Sequence, residues 1–124
     1  MNTLAMILVG VVALEHLYIL WLEMFAWETF GRKAFKGSLP DDMFRPTKTL
    51  AANQGLYNGF LAAGLCWSFF IDDFLWKHNV AIFFLICIIT AGVYGALTAS
   101  RKIFYIQAAP AILALLALLY SKYQ

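Results

Sequence analysis

The chain has 124 residues, of which 63% are hydrophobic and only 13% are charged. A soluble domain is roughly half hydrophobic and about a quarter charged. The composition therefore excludes a soluble globular protein, a disordered chain and a nucleic-acid binder. The length corresponds to one domain, so we expect residues 1–124 to form a single all-α domain in the lipid bilayer.

Four apolar segments are long enough to cross a membrane as helices. Three of them contain no charged residue and cover residues 49–71, 80–100 and 103–121. The first covers residues 4–25 and contains Glu15, His16 and Glu23. A hydrocarbon core of about 30 Å needs about 20 helical residues at 1.5 Å each. The sequence therefore predicts a bundle of four transmembrane helices.

The basic residues are concentrated on one side of these predicted helices. The loop of residues 26–48 carries five of them, and Arg101 and Lys102 lie in the turn between the last two helices. The other side has only Lys77 and Lys122. Because short cytoplasmic loops carry an excess of Lys and Arg, we expect residues 26–48 in the cytoplasm, along the lipid headgroups, and both termini on the non-cytoplasmic side.

Polar residues from all four helices fall in one layer on the side of this loop. The layer predicts a cavity that opens to the cytoplasm and binds a small molecule. Its candidate residues are Glu15, His16, Glu23, Asn53, Gln54, Tyr57, Asn58, Tyr94, Arg101, Tyr105 and Gln107. Because Asn and Gln in membrane helices usually form interhelical hydrogen bonds, we expect at least two of Asn53, Gln54 and Asn58 to be structural.

Glu15 is the candidate that packing explains least well. A charged group at mid-helix costs about 2.5–3.5 kcal/mol on insertion scales, and such residues are functional by default. The alternatives are a protonated carboxyl or a pair with His16 or Arg101. We predict Glu15 or His16 as the catalytic acid or base, although the sequence leaves open whether the protein is an enzyme and which cofactor it uses. The layer has too few ligands for the usual transition-metal sets, so we predict no metal site.

Small residues and one proline predict local features of the bundle. Residues 51, 55, 59 and 63 are all Gly or Ala, which allows close helix approach. Gly92 and Gly95 lie in similar series in the third helix. Pro110 removes a backbone hydrogen bond to Ile106, so a kink is predicted near Gln107. Cys66 and Cys87 are expected to be unpaired thiols.

Four segments resemble a family of small four-helix bacterial membrane proteins of unknown function. They are LVGVVALEHLYILWLEMFAW, LAANQGLYNGFLAAGL, AGVYGALTASRK and QAAPAILAL, and the resemblance covers nearly the whole chain. It implies a compact protein of the bacterial inner (cytoplasmic) membrane, and it implies no activity.

The order of features is also similar to the membrane-associated eicosanoid and glutathione metabolism family. The matching residues are Asn53, Arg101, Tyr105 and Pro110. The resemblance implies a trimer that binds glutathione or a lipid substrate between subunits near the cytoplasmic face. Thr49 and Leu56 stand where that family has the arginine and glutamate that help bind glutathione. The architecture is therefore implied, whereas the cofactor is not.

Three functions remain open at this stage. The first is a protein that binds or acts on a lipophilic or anionic small molecule, with Arg101 holding an anionic end. The second is a small proton-coupled transporter similar to the small multidrug resistance family, which the long basic loop disfavours. The third is a non-catalytic assembly module. A four-helix bundle has little interior, so we expect a homo-oligomer, dimer or trimer, in each case.

Overall fold

The regular structure of the protein is helical throughout. The computed structural model describes all residues, Met1–Gln124. The long helices are α1, Thr3–Phe25; α2, Lys48–Phe69; α3, Phe74–Thr98; and α4, Arg101–Lys122. The chain divides into two compact units, one formed by residues 1–14 and 61–124 and the other by residues 15–60.

Three of the four long helices, α1, α3 and α4, are long and apolar enough to cross a membrane. These spans give the protein the character of a membrane protein. The N-terminal half of α2 is less apolar because it carries Asn53, Gln54 and Asn58. A fourth span and the side of the termini therefore remain predictions.

Helix α3 starts at Phe74, six residues earlier than the sequence predicts. Asp73 accounts for the difference, because its Oδ1 accepts a hydrogen bond of 2.8 Å from the backbone N–H of Trp76 and caps the helix. The prediction followed the uncharged run and so began after Lys77 and His78. Both residues lie in the first turns of the helix.

The first unit has a continuous core of small and aliphatic side chains. Its fully buried members include Ala5, Val9 and Val12 of α1, Leu65 of α2, Leu85 and Ile88 of α3, and Ala111, Ala114 and Leu118 of α4. Within each helix these residues recur at three- or four-residue spacing, which places them on one face. Many of them are alanine, so the helix axes can approach closely.

Two glycines of α3 lie against the first part of α4. A Cβ added to Gly92 would lie 2.8 Å from both the backbone nitrogen and the Cβ of Ala108. A Cβ added to Gly95 would lie 2.9 Å from Cγ2 of Ile103. The predicted close approach along these α3 glycines is therefore observed, with α4 as the partner.

Helix α4 changes its geometry near its start. An α-helical turn at Arg101–Ile103 leads into a π-helical segment at Phe104–Ala108, and α-helix resumes from Ala109. Pro110 follows directly and lacks the N–H that an α-helix would pair with Ile106. The π-helical segment includes Gln107, where the sequence predicts a kink, and the kink itself stays a prediction.

The predicted loop is a folded element of the second unit. It contains a π-helical turn at Trp27–Gly31, a helical turn at Arg32–Ala34 and a 3₁₀ turn at Asp41–Met43. The Trp27 ring packs against Phe44 at 5.0 Å between centroids, and Trp27 Nε1 donates a 3.0 Å hydrogen bond to Thr47 Oγ1. Phe44 is only 1% exposed, so this segment has a small core of its own.

Two ion pairs join residues of this loop. Arg32 Nη1 lies 3.0 Å from Asp41 Oδ1 and donates a 2.8 Å hydrogen bond to the Asp41 carbonyl. Lys48 Nζ lies 3.6 Å from Glu28 Oε2. Two of the five basic residues in the predicted loop are therefore paired within the same unit.

Candidate functional site

In the second unit, α1 packs directly against the glycine positions of α2. A Cβ added to Gly55 would lie 2.7 Å from Met24 Cγ, 3.0 Å from Glu23 Cβ and 3.1 Å from the carbonyl oxygen of Leu20. The absence of a side chain at Gly55 therefore lets the backbones approach and brings Glu23 against α2. The small-residue spacing predicted this contact.

Glu23 and Asn58 are the predicted site residues that the structure joins directly. Asn58 Nδ2 donates a 2.7 Å hydrogen bond to Glu23 Oε1 and also lies 3.2 Å from the Gln54 carbonyl. Glu23 is buried, with 8% of its surface exposed. Of the three α2 amides considered above, only Asn58 forms such an interhelical bond, whereas Asn53 and Gln54 are exposed. The bond gives Glu23 and Asn58 a structural role.

Glu15 differs from Glu23 in lacking a partner. Its Oε1 atom is buried and has no hydrogen-bond partner. The neighbouring His16 is almost fully buried, with 1% of its surface exposed. Glu15 lies near the middle of α1, which is itself a candidate membrane span. An unpaired buried acceptor at this position is unfavourable for folding.

The remaining predicted site residues lie mostly on helix surfaces. Tyr57, Tyr94 and Tyr105 are 59%, 70% and 71% exposed. Arg101 is also exposed, and Gln107 is half-buried. Residues 53–58 belong to the second unit and residues 94–107 to the first. A cavity shared by the whole set therefore stays a prediction.

A polar cluster at one end of the first unit was not predicted. His78 is fully buried, and its Nδ1 donates a 2.7 Å hydrogen bond to the Phe74 carbonyl, while Nε2 has no partner. Nearby contacts join Lys122 to Asn79 at 3.1 Å and the Asn2 backbone N–H to Ser121 Oγ at 2.6 Å. His78 was not among the predicted site residues. His78 and the buried Ala81, Leu85 and Ile88 follow one another at three- and four-residue spacing, which places them on one face of α3. This spacing is the sequence signal that indicates the burial of His78.

The cysteines Cys66 and Cys87 are both free, as the sequence predicts.

A family model described as "Protein of unknown function (DUF1304)" matches residues 10–119. The chain belongs to this family.

One bacterial relative is similar to this chain over nearly its whole length. The uncharacterized protein YpaA of Lactococcus lactis subsp. lactis (strain IL1403) is 36% identical over 118 residues, which cover 94% of this chain and 98% of the relative. No solved structure matches. The predicted membership of a family of unknown function is confirmed, whereas the resemblance to the eicosanoid and glutathione metabolism family is not shown.

Proposed function

We propose that this DUF1304 protein binds a lipophilic small molecule in the bacterial inner membrane and that Glu15 holds the polar end of that molecule. The observation that supports this is the buried, unpartnered Oε1 of Glu15 within a candidate membrane span. Ionisable groups at membrane depth are expensive and usually serve function. Glu23 has a structural explanation in its bond with Asn58, so Glu15 is the stronger candidate.

The chemistry of a carboxyl group narrows the class of ligand. An ionised carboxylate only accepts hydrogen bonds, whereas a protonated carboxyl donates one. A lipophilic amine or alcohol would supply the donor that Glu15 Oε1 lacks. An anionic ligand would instead bind the side chain of Arg101, which is exposed on α4 and belongs to the other unit. Glu15 therefore favours a ligand with a donor group over an anionic one.

The other predicted residues take supporting roles in this proposal. His16, next to Glu15 and buried, is the second candidate for acid–base chemistry if the ligand is also a substrate. The exposed polar side chains of α2 belong to the same unit as Glu15 and would gain hydrogen-bonding partners from the ligand. Those of α3 and α4 belong to the other unit and would gain them from lipid or from another copy in a dimer or trimer. These side chains are Asn53, Gln54, Tyr57, Tyr94, Arg101 and Tyr105, together with the half-buried Gln107.

A second candidate function is a non-catalytic assembly module. The 2.7 Å bond between Glu23 and Asn58 favours it, because this bond uses a buried carboxyl to join α1 to α2. In that function Glu15 would serve the same purpose as Glu23 and would find its partner in another subunit. The two functions therefore differ in what Glu15 contributes.

Native mass spectrometry of the full chain in mild detergent, with identification of co-purified molecules, tests the proposal. We expect the Glu15→Gln variant to lose a molecule that the unchanged protein retains. Glu23→Gln is the matched control because it changes the same group on the same helix, and an amide oxygen can still accept the bond from Asn58. The control should keep both the molecule and the oligomeric state.

Two results would contradict the proposed function. The first is equal retention of the molecule by Glu15→Gln and the unchanged protein. The second is an empty protein whose oligomer dissociates or unfolds when Glu15 is changed. The second result would support the assembly module instead.

A further inference from the structure

An open groove of about 300 Å³ lies between α1 and α4 in the first unit. One wall is formed on α1 by Leu8, Val11 and Val12. The other wall includes three residues spaced every fourth position on α4, which are Tyr105, Ala109 and Leu113. Because α1 and α4 are both candidate membrane spans, hydrocarbon surrounds a groove at this position.

The groove lies beside the irregular start of α4. In the π-helical segment, the backbone of Ala108 faces α3 and fits against Gly92. Between Tyr105 and Leu113, the α4 wall of the groove presents the small Ala109 and the ring of Pro110. The gap therefore comes from small side chains at the end of the π-helical segment.

The lining of the groove decides what it can hold. It is apolar apart from the Tyr105 hydroxyl, so water finds too few hydrogen-bonding partners in it. An extended hydrocarbon chain needs no such partners and can lie along the open groove.

We propose that this groove binds one acyl chain of a membrane phospholipid. The order of residues along α4 matches the order of groups in such a lipid. Leu113 and Ala109 line the apolar part, Tyr105 supplies a hydroxyl, and the exposed Arg101 follows one turn closer to the helix start. Arginine binds phosphate strongly through paired hydrogen bonds. This inference goes beyond the proposed function, because neither Glu15 nor His16 lines the groove.

Retention of phosphatidylglycerol by the full chain in mild detergent tests this site. Native mass spectrometry gives the fraction of protomers that carry one lipid. Leu113→Trp should lower that fraction roughly fivefold, equivalent to about 1 kcal/mol. Leu116→Trp is the matched control, because Leu116 is 58% exposed and Leu113 is 59% exposed on the same helix, yet only Leu113 lines the groove. Leu116→Trp should retain the lipid.

Two further variants keep the test decisive. Val11→Trp fills the groove from the opposite wall and should act like Leu113→Trp, which covers the case in which Leu113→Trp fails to fold. Arg101→Gln should reduce retention of phosphatidylglycerol but leave retention of diacylglycerol, which lacks phosphate, unchanged. Glu15→Gln should retain phosphatidylglycerol, so failure of the proposed function would not be mistaken for failure of this site.

Three outcomes would overturn the inference. The first is an unchanged protein that retains no phosphatidylglycerol. The second is equal retention by the Leu113→Trp and Leu116→Trp variants. The third is a change in oligomeric state, rather than in lipid retention, when Leu113 is replaced, which would identify a second copy as the occupant.

Discussion

Replacing Gly92 by alanine perturbs a close contact between α3 and α4. The added Cβ would lie 2.8 Å from the Ala108 backbone nitrogen, and ordinary contact begins at 3.4 Å. The nitrogen belongs to the π-helical segment and cannot rotate away as a side chain can. The two helices must therefore move apart by about 0.6 Å along this contact.

Two opposing contributions set the size of the effect. Overpacking in a well-packed core costs about 1–3 kcal/mol, while alanine favours helix over glycine by up to about 1 kcal/mol. We expect Gly92→Ala to lower the free energy of unfolding by about 1–2 kcal/mol. Gly10→Ala in α1 is the matched control, because a Cβ added there meets no atom within 4 Å. It should leave stability unchanged or raise it slightly.

The free energy of unfolding of both variants is measured by reversible unfolding with sodium dodecyl sulfate in mild-detergent micelles. Circular dichroism monitors the loss of helix. The difference between the two variants isolates the packing contribution, since each makes the same chemical change in a membrane-span helix of the same unit. Equal free energies of unfolding for Gly92→Ala and Gly10→Ala would refute the close approach of α3 to the π-helical segment.

Two further predictions concern the second unit and the topology. Asn58→Ala should lower the free energy of unfolding by about 1 kcal/mol, because Glu23 then loses its hydrogen-bond donor. Asn53→Ala is the control and should leave the free energy of unfolding unchanged. An equal loss of stability in both variants would contradict the interhelical bond. After both native cysteines are replaced by alanine, a membrane-impermeant thiol reagent on intact cells should label Lys77→Cys but not Lys36→Cys. Labelling of both or neither would mean that residues 26–48 and the start of α3 lie on the same side, which three spans rather than four would produce.

The sequence contains enough information to predict the helices and two of their close contacts. Uncharged runs mark apolar helices because every charged group in lipid is costly, and small residues at every fourth position mark faces that approach closely. The start of α3 was missed because the capping bond of Asp73 extends the helix through charged residues. The π-helical segment follows from a backbone adjustment beside Pro110, for which hydropathy carries no signal.

The candidate site is less predictable from the sequence than the fold. Depth alone places Glu23 and Asn58 in one layer, but it does not say which amide bonds the carboxyl, and Asn58 does so while Asn53 is exposed. The folded segment around Trp27 was also missed in its detail. Its aromatic contacts join residues without helical or strand periodicity, so the pattern gives no indication of which rings meet.

The stability of Glu15→Leu separates a ligand-binding carboxyl from a structural one. A buried acceptor with no partner lowers the stability of the folded protein. If Glu15 serves only a ligand, its replacement by an apolar residue removes that penalty, and the free energy of unfolding should rise by about 1–3 kcal/mol while the ligand is lost. The same substitution at Glu23 should be destabilising, because it leaves the Asn58 amide without its 2.7 Å acceptor. A loss of stability in Glu15→Leu equal to that in Glu23→Leu would assign both carboxyls to helix packing and would leave the proposed ligand without its binding group.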